Sequence, residues 1–97
     1  MEYKIVVSSR ARKHFVKAID YYADISPAIP AKFIHAIESA YKKLSQNPFF
    51  VIRYKNVRAI PLKGFPYLLF FCIDEITFEV KILSIFHTSK RPQRYPK

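Results

Sequence analysis

His87 ends the apolar run ILSIF, and the segment after it, TSKRPQRYPK, contains no acidic residue. An imidazole titrates near neutral pH, so a histidine there can give or take a proton. Lys90, Arg91 and Arg94 can neutralise phosphates, and Tyr95 can stack on a base. Upstream, Arg58, Lys63, Tyr67 and Lys81 fall on or between segments that read as strands. Strand adjacency would bring Arg58, Tyr67 and His87 onto one surface. Such a surface suits a polyanion. With His87 transferring protons beside cations such as Arg58 and Arg91, it also suits RNA cleavage. The competing reading has His87 closing a sheet edge and the tail as a solvated charge run.

Other chemistries find less support. The chain has one cysteine and one glycine, so it offers neither a metal-binding cysteine cluster nor a glycine-rich phosphate loop. His14, His35 and His87 are scattered, without metal-ligand spacing, and no cofactor is expected. Ser84 and Ser89 near His87 do not make a triad without a positioned acid and an oxyanion hole. The helical pattern makes His14 and His35 surface residues.

The 97 residues carry 17 Lys and Arg against 7 Asp and Glu, a formal charge of +10. That surplus favours nucleic acid, an acidic membrane face or an acidic protein as partner. Residues 1–52 hold 8 basic and 4 acidic side chains, and residues 53–97 hold 9 and 3. The positive charge is therefore densest towards the C-terminus. Cys72 lies in an apolar run and reads as a buried thiol in a reducing compartment. No stretch is long and apolar enough for a membrane helix, and MEYKIVVSSRARKHF lacks the features of a signal peptide. A cytoplasmic protein is expected.

The elements that must position these residues follow from periodicity. YKIVVS at 3–8 reads as a strand, with Ser8 or Ser9 capping the next helix. There Ala11, Phe15, Ala18, Ile19, Tyr22 and Ala23 recur at helical spacing. SPAIP at 26–30 interrupts, with Ser26 and Pro27 as cap and first turn and Pro30 within that turn. Phe33, Ile34, Ile37, Ala40, Tyr41 and Leu44 mark a second helix to about Ser45, and 9–45 becomes a helical hairpin. Residues 54–62 read as one strand, KGFP at 63–66 as a turn, and Tyr67 to Ile73 as a central strand. In the last strand strict alternation gives Phe78, Val80, Ile82 and Phe86 one face. Glu79, Lys81, Leu83, Ile85 and His87 take the other. The order β-α-α-β-β-β segregates helices from meander. The expectation is a single α+β domain over 1–97. Its N-terminal helical hairpin packs on the Phe78/Val80/Ile82/Phe86 face of a small, mainly antiparallel sheet. Lys81 and His87 then lie on the open face.

This order, with AIDYYADISP, VRAIPLKGFPYLLFF and ILSIFHTSKRP, resembles the RelE/ParE superfamily of bacterial type II toxins. The likeness spans nearly the whole chain. It implies a toxin bound by a cognate acidic antitoxin, meeting operator DNA only through the antitoxin complex and with no membrane partner. Two targets divide that superfamily. ParE-like members inhibit DNA gyrase. RelE-like members cut mRNA on the ribosome without metal, using the RNA's own 2'-hydroxyl. The resemblance matches Arg58 to a basic position on the first meander strand, His87 to a histidine at the end of the last strand, and Lys90 or Arg91 to the cation after it. Tyr95 corresponds to a C-terminal aromatic of some nucleases. Tyr67 departs from the pattern, because RelE-like nucleases usually carry an arginine there. That departure favours gyrase inhibition over RNA cleavage. A non-toxic module that only engages an antitoxin or DNA is the third alternative.

Overall fold

The computed structural model describes residues 2–49 and 52–88, with backbone alone at 52–54. Strand β1, Lys4–Val7, leads directly into helix α1, Ser9–Ile25. The Ser8 hydroxyl accepts from the Ala11 N–H at 3.0 Å and so caps α1, as its position before the apolar stripe suggests. Helix α2, Ile29–Gln46, starts later than Ser26. Its N-cap is Ala28, without a side-chain bond, while the Ser26 hydroxyl accepts from the Ala28 N–H and Pro30 sits in the first turn. Asn47 ends α2, and Pro48 behind it is buried.

Four strands follow: β2 Ile52–Tyr54, β3 Val57–Pro61, β4 Tyr67–Asp74 and β5 Glu79–His87. The single strand expected over 54–62 is thus two, split at Lys55 and Asn56. The α+β class and the helical hairpin hold. The sheet has the order β1-β5-β4-β3-β2, with β1 parallel to β5 and every other pair antiparallel. In the 63–66 turn Gly64 has φ +83°, a conformation that only glycine adopts without strain.

The hairpin covers one sheet face. Ala11 and Ala18 from α1 meet Phe33, Ile37, Ala40 and Leu44 from α2, over Ile60, Leu62, Leu69, Phe71, Val80, Ile82 and Ile85. Phe33 is the hub. It is fully buried, and its ring lies 5.2 to 6.0 Å from those of Phe15, Tyr22, Phe65 and Tyr67. A second cluster on the other face joins Val57, Ala59, Phe70 and Phe86, with Leu68 and Leu83 beside it.

Strict alternation fails in β5, for a definite reason. Phe71 pairs with Ile82 but Phe70 pairs with Ser84, so Leu83 is an extra residue in a β-bulge. Every side chain after the bulge changes face relative to a regular strand. Phe86 therefore joins the open-face cluster, and Ile85 turns into the helix-side core. His87, two residues beyond Ile85, follows it to the helix side, against expectation. Lys81 stays on the open face. Phe78 also departs from the expected pattern. It precedes β5, is 40% exposed and has φ +56°, an uncommon state for a bulky side chain. Cys72, opposite Lys81, is only partly buried.

Candidate functional site

β1 is short. It pairs with β5 only as far as Val7 against Ile82, because the chain then turns into α1. Past Ile82 the outer edge of β5 would expose unpaired backbone groups, and these must find partners. The start of α1 supplies them. The Ser8 N–H donates to the Ile82 carbonyl at 3.0 Å, and the Ser8 hydroxyl donates to the Leu83 carbonyl at 3.1 Å. The Ile85 N–H donates to Nδ1 of His14 at 3.1 Å. His14 is thus partly buried and tied to the bulged strand, not a surface residue. Accepting at Nδ1 requires the neutral ring with its proton on Nε2.

The far end of β5 is held by its turn. The Thr88 N–H and hydroxyl both donate to the Pro66 carbonyl, at 2.9 and 3.2 Å. Tyr67 and His87 are register partners, and their rings meet edge to face at 5.0 Å. Burial pushes the Tyr67 phenol up to about 12, aided by the neighbouring Tyr22 hydroxyl, which also hydrogen-bonds to it. Tyr67 is therefore a neutral donor throughout the physiological range, not a base.

Between α1 and this end of β5 runs an open groove of about 620 Å³. Arg10, His14, Lys17 and Tyr21 line one wall, and Tyr67 and His87 the other. The helix residues recur at i, i+4, i+7 and i+11, a single stripe beside the apolar one. Among the described residues, no carboxylate lines the groove. Sequence reasoning missed the helix wall, although this spacing of Arg10, His14, Lys17 and Tyr21 was its available signal.

The other candidates are not gathered there. Arg58 lies on the same face but opposite Phe71, four residues along β4 from Tyr67. At strand rise that is about 13 Å from the His87 pair. Its guanidinium sits over the Phe49 ring, 5.5 Å from the centroid. Adjacency thus does not unite Arg58 with Tyr67 and His87. Lys63 is exposed in the turn. Lys81 faces the opposite side and pairs with Asp74 at 3.7 Å. Lys90, Arg91, Arg94 and Tyr95 lie outside the described residues. Among those described, no cluster of three His, Cys, Asp or Glu could hold a metal ion. No helix among them is long and apolar enough to cross a membrane.

The raised phenol makes a checkable pH signature. Between the unfolded value near 10 and about 12, the folded chain binds more protons than the unfolded one. Stability should then fall as pH rises through that window. Tyr67→Phe should flatten the fall in denaturant melts taken from pH 9 to 12. An unchanged slope would mean that the phenol is not perturbed.

A two-helix hairpin on one face of a mixed sheet is the α+β architecture that this chain shares with ParE- and RelE-like toxin chains of solved structure. The family described as ParE toxin of the type II toxin–antitoxin system, parDE, matches residues 5–92. The chain belongs to that family. Among solved structures, it is similar to one described as a chromosomal ParDE toxin–antitoxin system from P. aeruginosa. There the identity is 22%, with 89% of this chain and 96% of that one covered, at a TM-score of 0.75. It is also similar to a chain of the RelBE2 toxin–antitoxin complex from Mycobacterium tuberculosis. In that case the identity is 23%, with 90% and 99% covered, at a TM-score of 0.61. No curated protein matches the chain.

Proposed function

We propose that this toxin arrests growth by binding an essential protein target, DNA gyrase, and not by cutting RNA. One observation carries the choice. The residue beside His87 on the sheet, where RNA cleavage calls for a cation to stabilise charge on the scissile phosphate, is the neutral phenol of Tyr67. Arg58 is about 13 Å along the sheet and cannot substitute for it. The match to the ParE toxin family supports the same reading.

Ribosome-dependent, metal-independent mRNA cleavage is the second reading. It is favoured by His87 opening onto a groove that also holds Arg10 and Lys17. The two separate cleanly in vitro. Purified toxin should inhibit supercoiling by gyrase and leave mRNA intact on programmed ribosomes. Cut mRNA with normal supercoiling would reverse the assignment.

In the cytoplasm the toxin is held by a cognate acidic antitoxin. A charge of +10 speeds encounter with an acidic segment, and apolar anchors slow its release. Operator DNA is met only through that complex. Co-expression with the adjacent gene should yield a complex that survives purification. Separate elution even at low salt would sink the pairing.

A further inference from the structure

The bulge at Leu83 decides which way the end of β5 faces, and its interior is not self-sufficient. The Ser84 hydroxyl is buried there with no hydrogen-bond partner among the described residues, a destabilising feature. On one side the stretch pairs with β4. On the other side β1 has ended, and the first half of α1 takes over. Ser8 accepts from the Ala11 N–H to cap the helix and donates to the Leu83 carbonyl. His14 accepts from the Ile85 N–H. Helix α1 thus grips the strand at the residue before Ser84 and at the residue after it.

The two grips differ in chemistry. A serine hydroxyl donates at any ordinary pH. Nδ1 of His14 accepts only while the ring is neutral. Protonation puts a hydrogen on Nδ1, and two donors then face each other across 3.1 Å. The other groups in the groove do nothing to offset that loss. Arg10 and Lys17 on α1 are cations, His87 on β5 is a second imidazole, and Tyr21 on α1 and Tyr67 on β4 bring phenols. Among the described residues, no carboxylate and no residue of α2 lines the groove.

We propose that His14 is the positioning residue for the end of β5. Its neutral ring latches the Ile85 amide, which keeps Ile85 towards the helices and His87 against Tyr67, and it releases both when it takes up a proton. The latch is closed above the ordinary imidazole range, about pH 6.5, and opens as pH falls through it. One wall of the groove is therefore held in place by the protonation state of a residue on the other. The latch does not depend on which target the toxin arrests. Its test contains neither gyrase nor ribosome, so the two proposals fail separately.

The test is amide hydrogen exchange on the full chain, read by NMR at about pH 7.5 and about pH 5.5, either side of the imidazole range. In the parent chain the protection factor of the Ile85 amide should fall about tenfold between the two, the upper end of what one hydrogen bond contributes. That of Val80, fully buried in the same strand before the bulge, should not change. The nuclear Overhauser contact between the Tyr67 and His87 rings, 5.0 Å apart at their centroids, should fade over the same interval. His14→Asn offers an amide oxygen near the place of Nδ1 and does not titrate. It should keep Ile85 protected to within about twofold at both pH values, since the acceptor is retained. His14→Leu fills the space without an acceptor, and should lose both the protection and the ring contact at either pH. If His14→Leu melts early, the parent and His14→Asn chains decide the question by their pH profiles. Equal protection of Ile85 at both pH values in the parent overturns the latch. So does a His14→Leu chain that keeps the Tyr67–His87 contact, because the histidine then only completes a strand edge. A His14→Asn chain as pH-sensitive as the parent would assign the titration to His87. One unprotected at both pH values would make ring shape the determinant. Either result overturns the proposal.

Discussion

Phe33→Ala should cost about 3–5 kcal/mol of folding stability, the usual range for deleting a buried aromatic side chain. Phe33 is fully buried between the hairpin and the sheet. It touches Phe15 and Tyr22 on α1, Phe65 in the turn and Tyr67 at the start of β4. Aromatic pairs of this kind add about 0.5–1.5 kcal/mol each beyond burial, so the upper half of the range is expected. A domain of this size has only about 5–15 kcal/mol in total. The variant should therefore unfold at much lower urea, with an unchanged dependence on denaturant. The damage should also reach the groove, because the Tyr67 ring packs on both Phe33 and His87. In NMR spectra the His87 ring signals should shift, while those of Ile76 at the far hairpin tip should not. A loss under about 1 kcal/mol would mean that the surrounding rings collapse into the gap and that Phe33 is not the hub.

The same residues show what a sequence can disclose. Phe33, Ile37 and Leu44 announce their burial through helical spacing, and all three are buried. Phe15 and Ile19 follow the same spacing but remain only partly covered, packed against the core margin. Val80 and Ile82 obey strand alternation and are fully buried. Periodicity reports a face wherever the element is regular.

It stops reporting at Leu83. One extra residue there reverses the faces of Ile85, Phe86 and His87, and no composition signal marks it. The partners of the bulged stretch are non-local as well, since β1 ends at Val7 and the β5 edge beyond it bonds to Ser8 and His14. A residue 71 positions away in the chain completes the strand. That is why His14 read as a surface histidine. The error at Arg58 is of another kind. Its face is right, but register against Phe71 carries it away from Tyr67, and register is set by the 63–66 turn.

His87→Gln is the sharpest functional test. Glutamine keeps hydrogen-bonding capacity at the end of β5 but cannot exchange a proton near neutral pH. General acid–base catalysis contributes about 10²–10⁴-fold, so a nuclease should lose that much cleavage while still binding ribosomes. A toxin that only seizes its target has no proton to move. Growth arrest by His87→Gln should then stay within about threefold of the parent chain, on that same argument. Arg91→Ala, in the basic segment after His87, should still reduce arrest, because a cation removed from a binding surface costs affinity whatever the target. Induced expression at matched protein levels, with RNA integrity and plasmid supercoiling followed together, reads both variants at once. Thermal melts must accompany them, since the His87 ring packs on Tyr67 and its loss can loosen the strand end. A folded His87→Gln variant that no longer stops growth, and whose parent leaves cut mRNA behind, would return the protein to the ribosome.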